Sequence, residues 1–184
     1  MKTDFKVTDI IIETERIYLR EFYQSDLNDF YEYAKVEGVG EAAGWPHHEN
    51  IQESQRILNK FLTEQRDFAI CYKENDKVIG SFGIWDCENS NSTNSKQKCG
   101  EIGYVLSKDY WNRGLMTEIT KKVIEYLFSK KIFDILFCSC FEDNSKSRNV
   151  IQKCGFTFDK HEIKLDQFNC DRVLELYKLE NDNN

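Results

Sequence analysis

The sequence has little of what marks membrane proteins and nucleic-acid-binding proteins. No run approaches the roughly 20 apolar residues that a transmembrane helix requires. The 25 lysines and arginines are scattered, and 32 acidic residues outweigh them to give a net charge of -7. We therefore expect a cytoplasmic protein that has no membrane and no nucleic acid as partner. An acidic surface instead attracts cationic acceptors such as amines.

The sequence is also poor in the patterns that bind metals or activate cysteines. Its seven cysteines include no C-x-x-C pair, and only three histidines accompany them, so we predict no metal site. Cys71, Cys138 and Cys140 lie in apolar runs, where a reduced cysteine behaves as a small hydrophobic residue rather than a nucleophile. His47 and His48 lie in a glycine-bearing loop, and we expect both at its surface.

The 184 residues suit one domain that spans 1–184, and no internal repeat interrupts it. Alternating or continuous apolar runs predict strands at 17–22, 68–72, 78–85, 99–106, 135–141, 156–165 and 173–179. Helical periodicity predicts four helices, which begin after Ser25, after Asn50, at Gly114, and after Asp143 or Asn144. A polar loop at about 87–99 is predicted to be flexible. The pattern indicates an α/β (α+β) fold.

The clearest chemical signal is the passage from the strand EIGYVL to the helix that begins within NRGLMTE. A helix start presents unpaired N–H groups and the positive end of the helix dipole, which together bind anions. Gly114 lets the backbone of Arg113 to Thr117 approach a pyrophosphate closely, and the Arg113 and Thr117 side chains add donors. The alternative is an ordinary glycine in a strand-to-helix turn.

The run from Trp111 to Met116, WNRGLM, resembles the coenzyme loop Q/R-x-x-G-x-G/A of the GNAT superfamily of N-acetyltransferases. Its first and last residues depart from that pattern, but they resemble the branch of ribosomal-protein N-terminal alanine/serine acetyltransferases. The run 144–156, NSKSRNVIQKCGF, is similar to that branch's N-x-x-S followed by K-x-G-F. The segment AGWPH at 43–47 also resembles the acceptor-side loop of many bacterial members.

This resemblance implies a mixed, mainly antiparallel sheet of about seven strands, splayed at the coenzyme site, with about four helices on its faces. It implies acetyl-CoA as co-substrate and no metal. Backbone groups of Tyr104, Val105 and Leu106 would pair with the pantetheine arm. The residues that would form the pyrophosphate loop are Asn112, Arg113, Gly114, Leu115, Met116 and Thr117. Asn144 would contact the coenzyme arm, or it only caps its helix.

The catalytic candidates are Glu101 and Ser147. Strand alternation places Glu101 close upstream of the coenzyme strand, where a carboxylate could act as general base; the alternative is a solvated edge carboxylate. The superfamily often uses a tyrosine acid in the last helix, but the matching position here is Ile151. Ser147 is the nearest hydroxyl that the pattern offers as the acid, unless it only caps the helix and water serves instead.

We therefore predict transfer of an acetyl group from acetyl-CoA to a primary amine, with a protein N-terminal α-amine as the first candidate and Glu101 as base. The alternatives are a small amine, such as an antibiotic or a polyamine, and a non-catalytic sensor that only binds acetyl-CoA. The sequence is compatible with a monomer or a homodimer. Trp45 is either a wall of the acceptor pocket or a core anchor.

Overall fold

The computed structural model describes residues 3–87, 97–165 and 170–181. Within these ranges the chain forms one sheet of eight strands in the order β1-β2-β3-β4-β5-β6-β8-β7. The strands are β1 Ile12–Glu13, β2 Ile17–Glu21, β3 Asp67–Tyr72, β4 Val78–Asp86, β5 Cys99–Leu106, β6 Ile135–Phe141, β7 Thr157–Leu165 and β8 Asp171–Glu180. Every neighbouring pair is antiparallel except β5 and β6, which run parallel.

The described ranges hold four α-helices, which cover the two faces of the sheet. They are α1 Leu27–Ala34, α2 Ile51–Glu64, α3 Leu115–Ser129 and α4 Ser145–Lys153. Side chains of β3 alternate between the faces: Phe68 and Ile70 pack into the core under α3 and α4, whereas Ala69 and Cys71 pack under α1 and α2. The sheet is thus apolar on both sides, which explains why its central strands read as continuous apolar runs.

Local capping determines where the helices begin and end. The Asn50 side chain accepts a hydrogen bond from the Glu53 N–H at 3.0 Å, and the Glu53 carboxylate accepts one from the Glu49 N–H at 3.1 Å. This reciprocal arrangement satisfies two otherwise unpaired donors at the start of α2. The helix ends where Gln65 adopts a left-handed conformation with φ of 54°. The start of the helix agrees with its sequence prediction.

The sheet opens between its two parallel strands. Residues Cys99–Ile102 of β5 pair with Ile135–Cys138 of β6, and pairing stops there. Beyond that point β5 continues to pair with β4, and β6 continues to pair with β8. The two strand ends therefore diverge, and backbone N–H and C=O groups of β5 face a gap rather than a neighbouring strand.

The fold agrees with the predicted mixed, mainly antiparallel sheet, splayed between β5 and β6, with four helices on its faces. The one additional strand is the two-residue β1, which is too short to leave a sequence signal. Most of the predicted polar loop at 87–99, namely 88–96, lies outside the described residues. Among the described residues, no helix combines the length and apolar character needed to cross a membrane.

Two sets of cysteines bear on the sequence predictions. Cys71, Cys138 and Cys140 are buried, as predicted for small hydrophobic residues in strands. Cys87 and Cys99, whose Cα atoms lie 5.6 Å apart, are joined as a disulfide, a pairing that their spacing in the sequence did not reveal. In the described ranges, no group of three or more histidine, cysteine or acidic side chains is arranged to hold a metal ion.

Candidate active site

A cleft of about 1030 Å³ runs through the gap between β5 and β6 and continues over the face that α1 and α2 cover. All but one of the predicted site residues line it. They are Glu101, Tyr104, Val105, Leu106, Asn112, Gly114, Leu115, Met116, Thr117, Asn144 and Ser147. The structure therefore brings the predicted catalytic and coenzyme-binding residues to one cavity, although they come from three separate stretches of sequence.

The start of α3 forms one end of the cleft. Gly114 has a φ of 77°, which residues with a side chain rarely adopt, so this conformation favours glycine. The space beside it is open, since the nearest atom to an added Cβ, in Arg16, would be 3.8 Å away. Because the first N–H groups of a helix have no partner within it, this turn leaves donors exposed to the cleft. Those donors fit a pyrophosphate group.

Arg113 is the predicted site residue that does not line the cleft. Its guanidinium lies 5.0 Å from the centre of the Tyr110 ring, and its carbonyl accepts a hydrogen bond from Arg16 at 3.0 Å. Arg16 also donates to Glu118 at 2.9 Å and so ties β2 to the first turn of α3. The Arg113 side chain thus lies outside the cleft, and Arg16 supports the turn through the Arg113 carbonyl, a contact that sequence reasoning missed.

Two lysines at the cleft were also missed, although they lie within the run NSKSRNVIQKCGF. Lys146 and Lys153 both line the cavity, and the Lys146 ammonium lies 4.1 Å from the centre of the Trp111 ring. Trp111 is held in turn by a hydrogen bond from its indole N–H to the Leu106 carbonyl, at 2.7 Å. These cations lie on the α4 side of the gap, where they would attract the phosphates of a coenzyme.

Glu101 lies just before the point where β5 and β6 separate. Its carboxylate is exposed to the cleft, and the Ser139 hydroxyl lies 3.5 Å from it. Partial loss of hydration between the cleft walls raises the pKa of Glu101, while the nearby Lys164 ammonium opposes that rise. A carboxylate with a raised pKa is a stronger base than an ordinary glutamate, which is useful for accepting a proton near neutral pH.

Ser147 has a partner that the sequence did not predict. Its hydroxyl lies 3.1 Å from the phenol oxygen of Tyr104, whose side chain reaches from β5 to the start of α4. Burial raises the pKa of Tyr104, so the phenol keeps its proton. The cleft therefore contains a tyrosine hydroxyl, which comes from strand β5. The superfamily often has a tyrosine in the last helix, where this chain has Ile151.

Both polar atoms of the Asn144 side chain form hydrogen bonds within the protein. The oxygen accepts a hydrogen bond from the Ser147 N–H at 3.1 Å and so caps α4. The amide nitrogen donates to the Ala42 carbonyl at 3.0 Å, which anchors the loop before α2. This geometry favours the helix-cap interpretation over a direct contact with the coenzyme arm.

In the loop before α2, one of the two histidines expected at the surface is buried. His47 is part-exposed and pairs with Glu41 at 2.8 Å, but His48 is buried rather than at the surface. The His48 ring lies 2.7 Å from the Ser54 hydroxyl and packs on Trp45, with 5.3 Å between ring centres. Burial lowers the pKa of His48. Trp45 both lines the cleft and packs against the core, so its two interpretations are compatible.

A sheet splayed beside an open helix start is typical of acyltransferases that use acyl-coenzyme A. A family model described as acetyltransferase (GNAT) domain matches residues 16–157, and the chain belongs to that family. It is an N-acetyltransferase that uses acetyl-CoA, and other solved structures of this fold hold acetyl-CoA or coenzyme A.

Individual relatives are distant. The chain is 25% identical over 151 residues to the uncharacterized N-acetyltransferase YoaA of Bacillus subtilis, which covers 79% of this chain and 82% of the relative. A GNAT-family acetyltransferase from Bacillus anthracis superposes with a TM-score of 0.80 at 18% identity, covering 94% and 99% of the two chains. A ribosomal-protein-S5-alanine acetyltransferase from Vibrio fischeri superposes with a TM-score of 0.75 at 20% identity, covering 95% and 98%.

Proposed function

We propose that this enzyme acetylates the α-amine at the N-terminus of a protein, with Glu101 as the general base. The observation that carries the proposal is the position of Glu101. It lies in the cleft at the junction of β5 and β6, and dehydration raises its pKa. Acetyl-CoA supplies the activated acyl group as a thioester. The chain's own task is to bind the coenzyme, orient the amine and remove its proton.

For the coenzyme, we propose that backbone N–H groups of Arg113 to Thr117 bind the pyrophosphate and that the free edge of β5 at Tyr104 to Leu106 pairs with the pantetheine arm. The open turn at Gly114 and the unpaired end of β5 support this assignment. Lys146 and Lys153 add positive charge on the α4 side. Fixed N–H donors in such a gap are also suited to stabilise negative charge that develops on a carbonyl oxygen.

Removing a proton from an α-amine costs less free energy than removing one from a lysine. An α-amine with a pKa of about 8 requires roughly 1.4 kcal/mol to lose its proton at about pH 7, against roughly 4.6 kcal/mol for a lysine at about 10.4. A single carboxylate, acting directly or through a water, is sufficient to accept the proton of an α-amine. On the other side of the reaction, the Tyr104–Ser147 pair is a source of a proton for the leaving thiol, with water as the alternative.

A small amine is the second candidate acceptor, and one observation favours it. The part of the cleft under α1 and α2 contains a further carboxylate, Asp67, which a small polycation could reach. Mass spectrometry of a panel of N-terminal peptides, lysine-containing peptides and small amines, each incubated with acetyl-CoA, separates the candidates. Acetylation of small amines alone would reject the protein N-terminus as acceptor.

The role of Glu101 has a separate test. Glu101→Gln should lower turnover about a hundredfold to ten-thousandfold at neutral pH, and alkaline pH should recover part of the loss as free amine becomes abundant. Coenzyme affinity should be retained. Glu162→Gln is the matched control, because Glu162 lies near Glu101 but does not line the cleft. Wild-type turnover by Glu101→Gln, where chemistry limits the rate, would reject the assignment.

A further inference from the structure

Asp67, the first residue of β3, is an unusual carboxylate. Its side chain lines the cleft, yet only 6% of the residue is exposed. No described residue donates a hydrogen bond to it. A buried carboxylate without a partner loses most of its hydration energy and gains nothing in return. Such a group is rarely retained in a protein unless something outside the chain provides its partner.

None of the described lysines and arginines forms an ion pair with Asp67, although the Lys60 ammonium opposes the rise in its pKa. Arg66, the preceding residue, reaches across to Asp86 at 3.0 Å. Lys60 of α2 interacts with Glu64 at 3.8 Å, and its side chain is 62% exposed. Glu64 adds a further negative charge near Asp67. On the α1 side, the neighbouring group is the neutral phenol of Tyr33.

Two glycines lie beside Asp67 in the sheet, and the Trp85 indole occupies the space above them. Asp67 pairs with Gly83 of β4, and Gly83 pairs with Gly103 of β5, so a row of two glycines extends from the carboxylate across the cleft floor. The indole of Trp85 lies over both. A Cβ at Gly83 would be 2.2 Å from the indole and 2.8 Å from Asp67 Oδ1, so the ring and the carboxylate lie within about 5 Å of each other.

Trp85 is 38% exposed, so this ring forms part of the cleft surface rather than of the core. Trp85 also pairs across the strands with Glu101 and therefore lies between the two carboxylates. An aromatic ring beside a dehydrated carboxylate can bind ammonium and guanidinium groups. The two glycines leave room for the indole itself, which can therefore lie beside the carboxylate at the cleft surface.

We propose that Asp67 and Trp85 form a subsite for a second positive charge of the acceptor, separate from the amine that is acetylated. This inference rests on the proposed function, since Glu101 is taken as the base for the reacting amine. From the strand spacing and the rise per residue, the Cα atoms of Asp67 and Glu101 are roughly 12 Å apart on the same face of the sheet. The acceptor is thus a linear diamine or polyamine, or an N-terminal peptide with a basic side chain near its start.

The direct test is calorimetry on the CoA-saturated protein with cadaverine and with pentylamine, which differ only in the second amino group. We expect cadaverine to bind roughly tenfold or more tightly, as a charge-assisted hydrogen bond provides. In Asp67→Asn this preference should fall to about the twofold that two equivalent ends confer. Glu64→Gln is the matched control, because it removes a nearby negative charge that does not line the cleft, and it should retain the preference.

A peptide experiment distinguishes failure of the subsite from failure of the proposed function. It compares kcat/KM for peptides with a free α-amine that carry lysine or norleucine at the second or third residue. If the lysine preference survives in Asp67→Asn, the subsite is rejected while the α-amine acceptor stands. If wild type acetylates neither peptide, the α-amine acceptor is rejected, and the cadaverine measurement still decides the subsite. Equal affinity of wild type for cadaverine and pentylamine would overturn the inference outright.

Discussion

Replacing Asp67 by asparagine should stabilise the protein at alkaline pH and leave it nearly unchanged at acid pH. Burial raises the pKa of Asp67 to about 7 from its ordinary 3.8, the negative charge of Glu64 adds to the rise, and Lys60 opposes it. The folded chain therefore keeps a proton that the unfolded chain has already lost. As the pH rises from the unfolded pKa towards about 7, this carboxyl makes folding progressively less favourable.

The magnitude follows from the gap between the two pKa values. A gap of about three units, at about 1.4 kcal/mol each, gives a penalty of roughly 4 kcal/mol that is fully present above about pH 8. Asparagine has nearly the same shape and no charge, so the variant escapes the penalty. We expect Asp67→Asn to exceed wild type in free energy of unfolding by about 2 to 4 kcal/mol at about pH 8, and by little at about pH 4.

Urea unfolding of both proteins across this pH range measures the difference directly. The free energy of unfolding falls by about 1–3 kcal/mol per molar urea. The urea concentration at the midpoint of unfolding should therefore rise by roughly 1 M or more at alkaline pH. Asp159→Asn is the control, because Asp159 is an exposed carboxyl on β7 whose replacement should give a flat difference profile. Destabilisation by Asp67→Asn at alkaline pH would refute the reasoning, since it would mean that the carboxylate already has a favourable partner inside the protein.

Three further predictions test the coenzyme turn, the hydroxyl pair and the start of α2. Gly114→Glu should abolish coenzyme binding in calorimetry, because a carboxylate would occupy the place of the pyrophosphate; unchanged affinity in a folded variant would reject the anion site. Tyr104→Phe should lower turnover more than Ser147→Ala, since a water can replace the smaller hydroxyl; the reverse order in single-turnover assays would count against the phenol as proton source. Asn50→Ala should cost about 1 kcal/mol of stability in urea unfolding by removing the cap of α2, and no loss would contradict its capping role.

Much of the fold follows from local patterns, because helices and strands leave a periodic trace of the face that they bury. The limits of β5 and β6 agree with the sequence prediction to the residue, since runs rich in apolar residues mark both strands. The start of α2 could also be predicted from the sequence, because Asn50 and Glu53 form the helix cap within four residues of chain. Strand β1 left no such trace, because two residues are too few for any period.

The residues of the candidate site also differ in how well the sequence predicted them, because some are close along the chain and others are far apart. The glycine turn and the acidic residue on the strand before it are close in sequence, so a motif predicts them together. The Tyr104–Ser147 pair, by contrast, joins residues 43 positions apart, and the sequence offered Ser147 alone. His48 was expected at the surface because it lies in a glycine-bearing loop, but it is buried by contacts with Phe30, Trp45 and Ser54.

The sequence by itself indicated the class of fold, the glycine turn before α3 and the carboxylate of Glu101, because each depends on residues near one another along the chain. Tertiary structure alone decided that β5 and β6 part after Ile102, since strand pairing is a property of register between distant segments. It also decided that Asp67, Trp85 and Glu101 share one face of the sheet. No sequence pattern links three residues on three strands, and only the pairing through Gly83 and Gly103 brings them to one cleft.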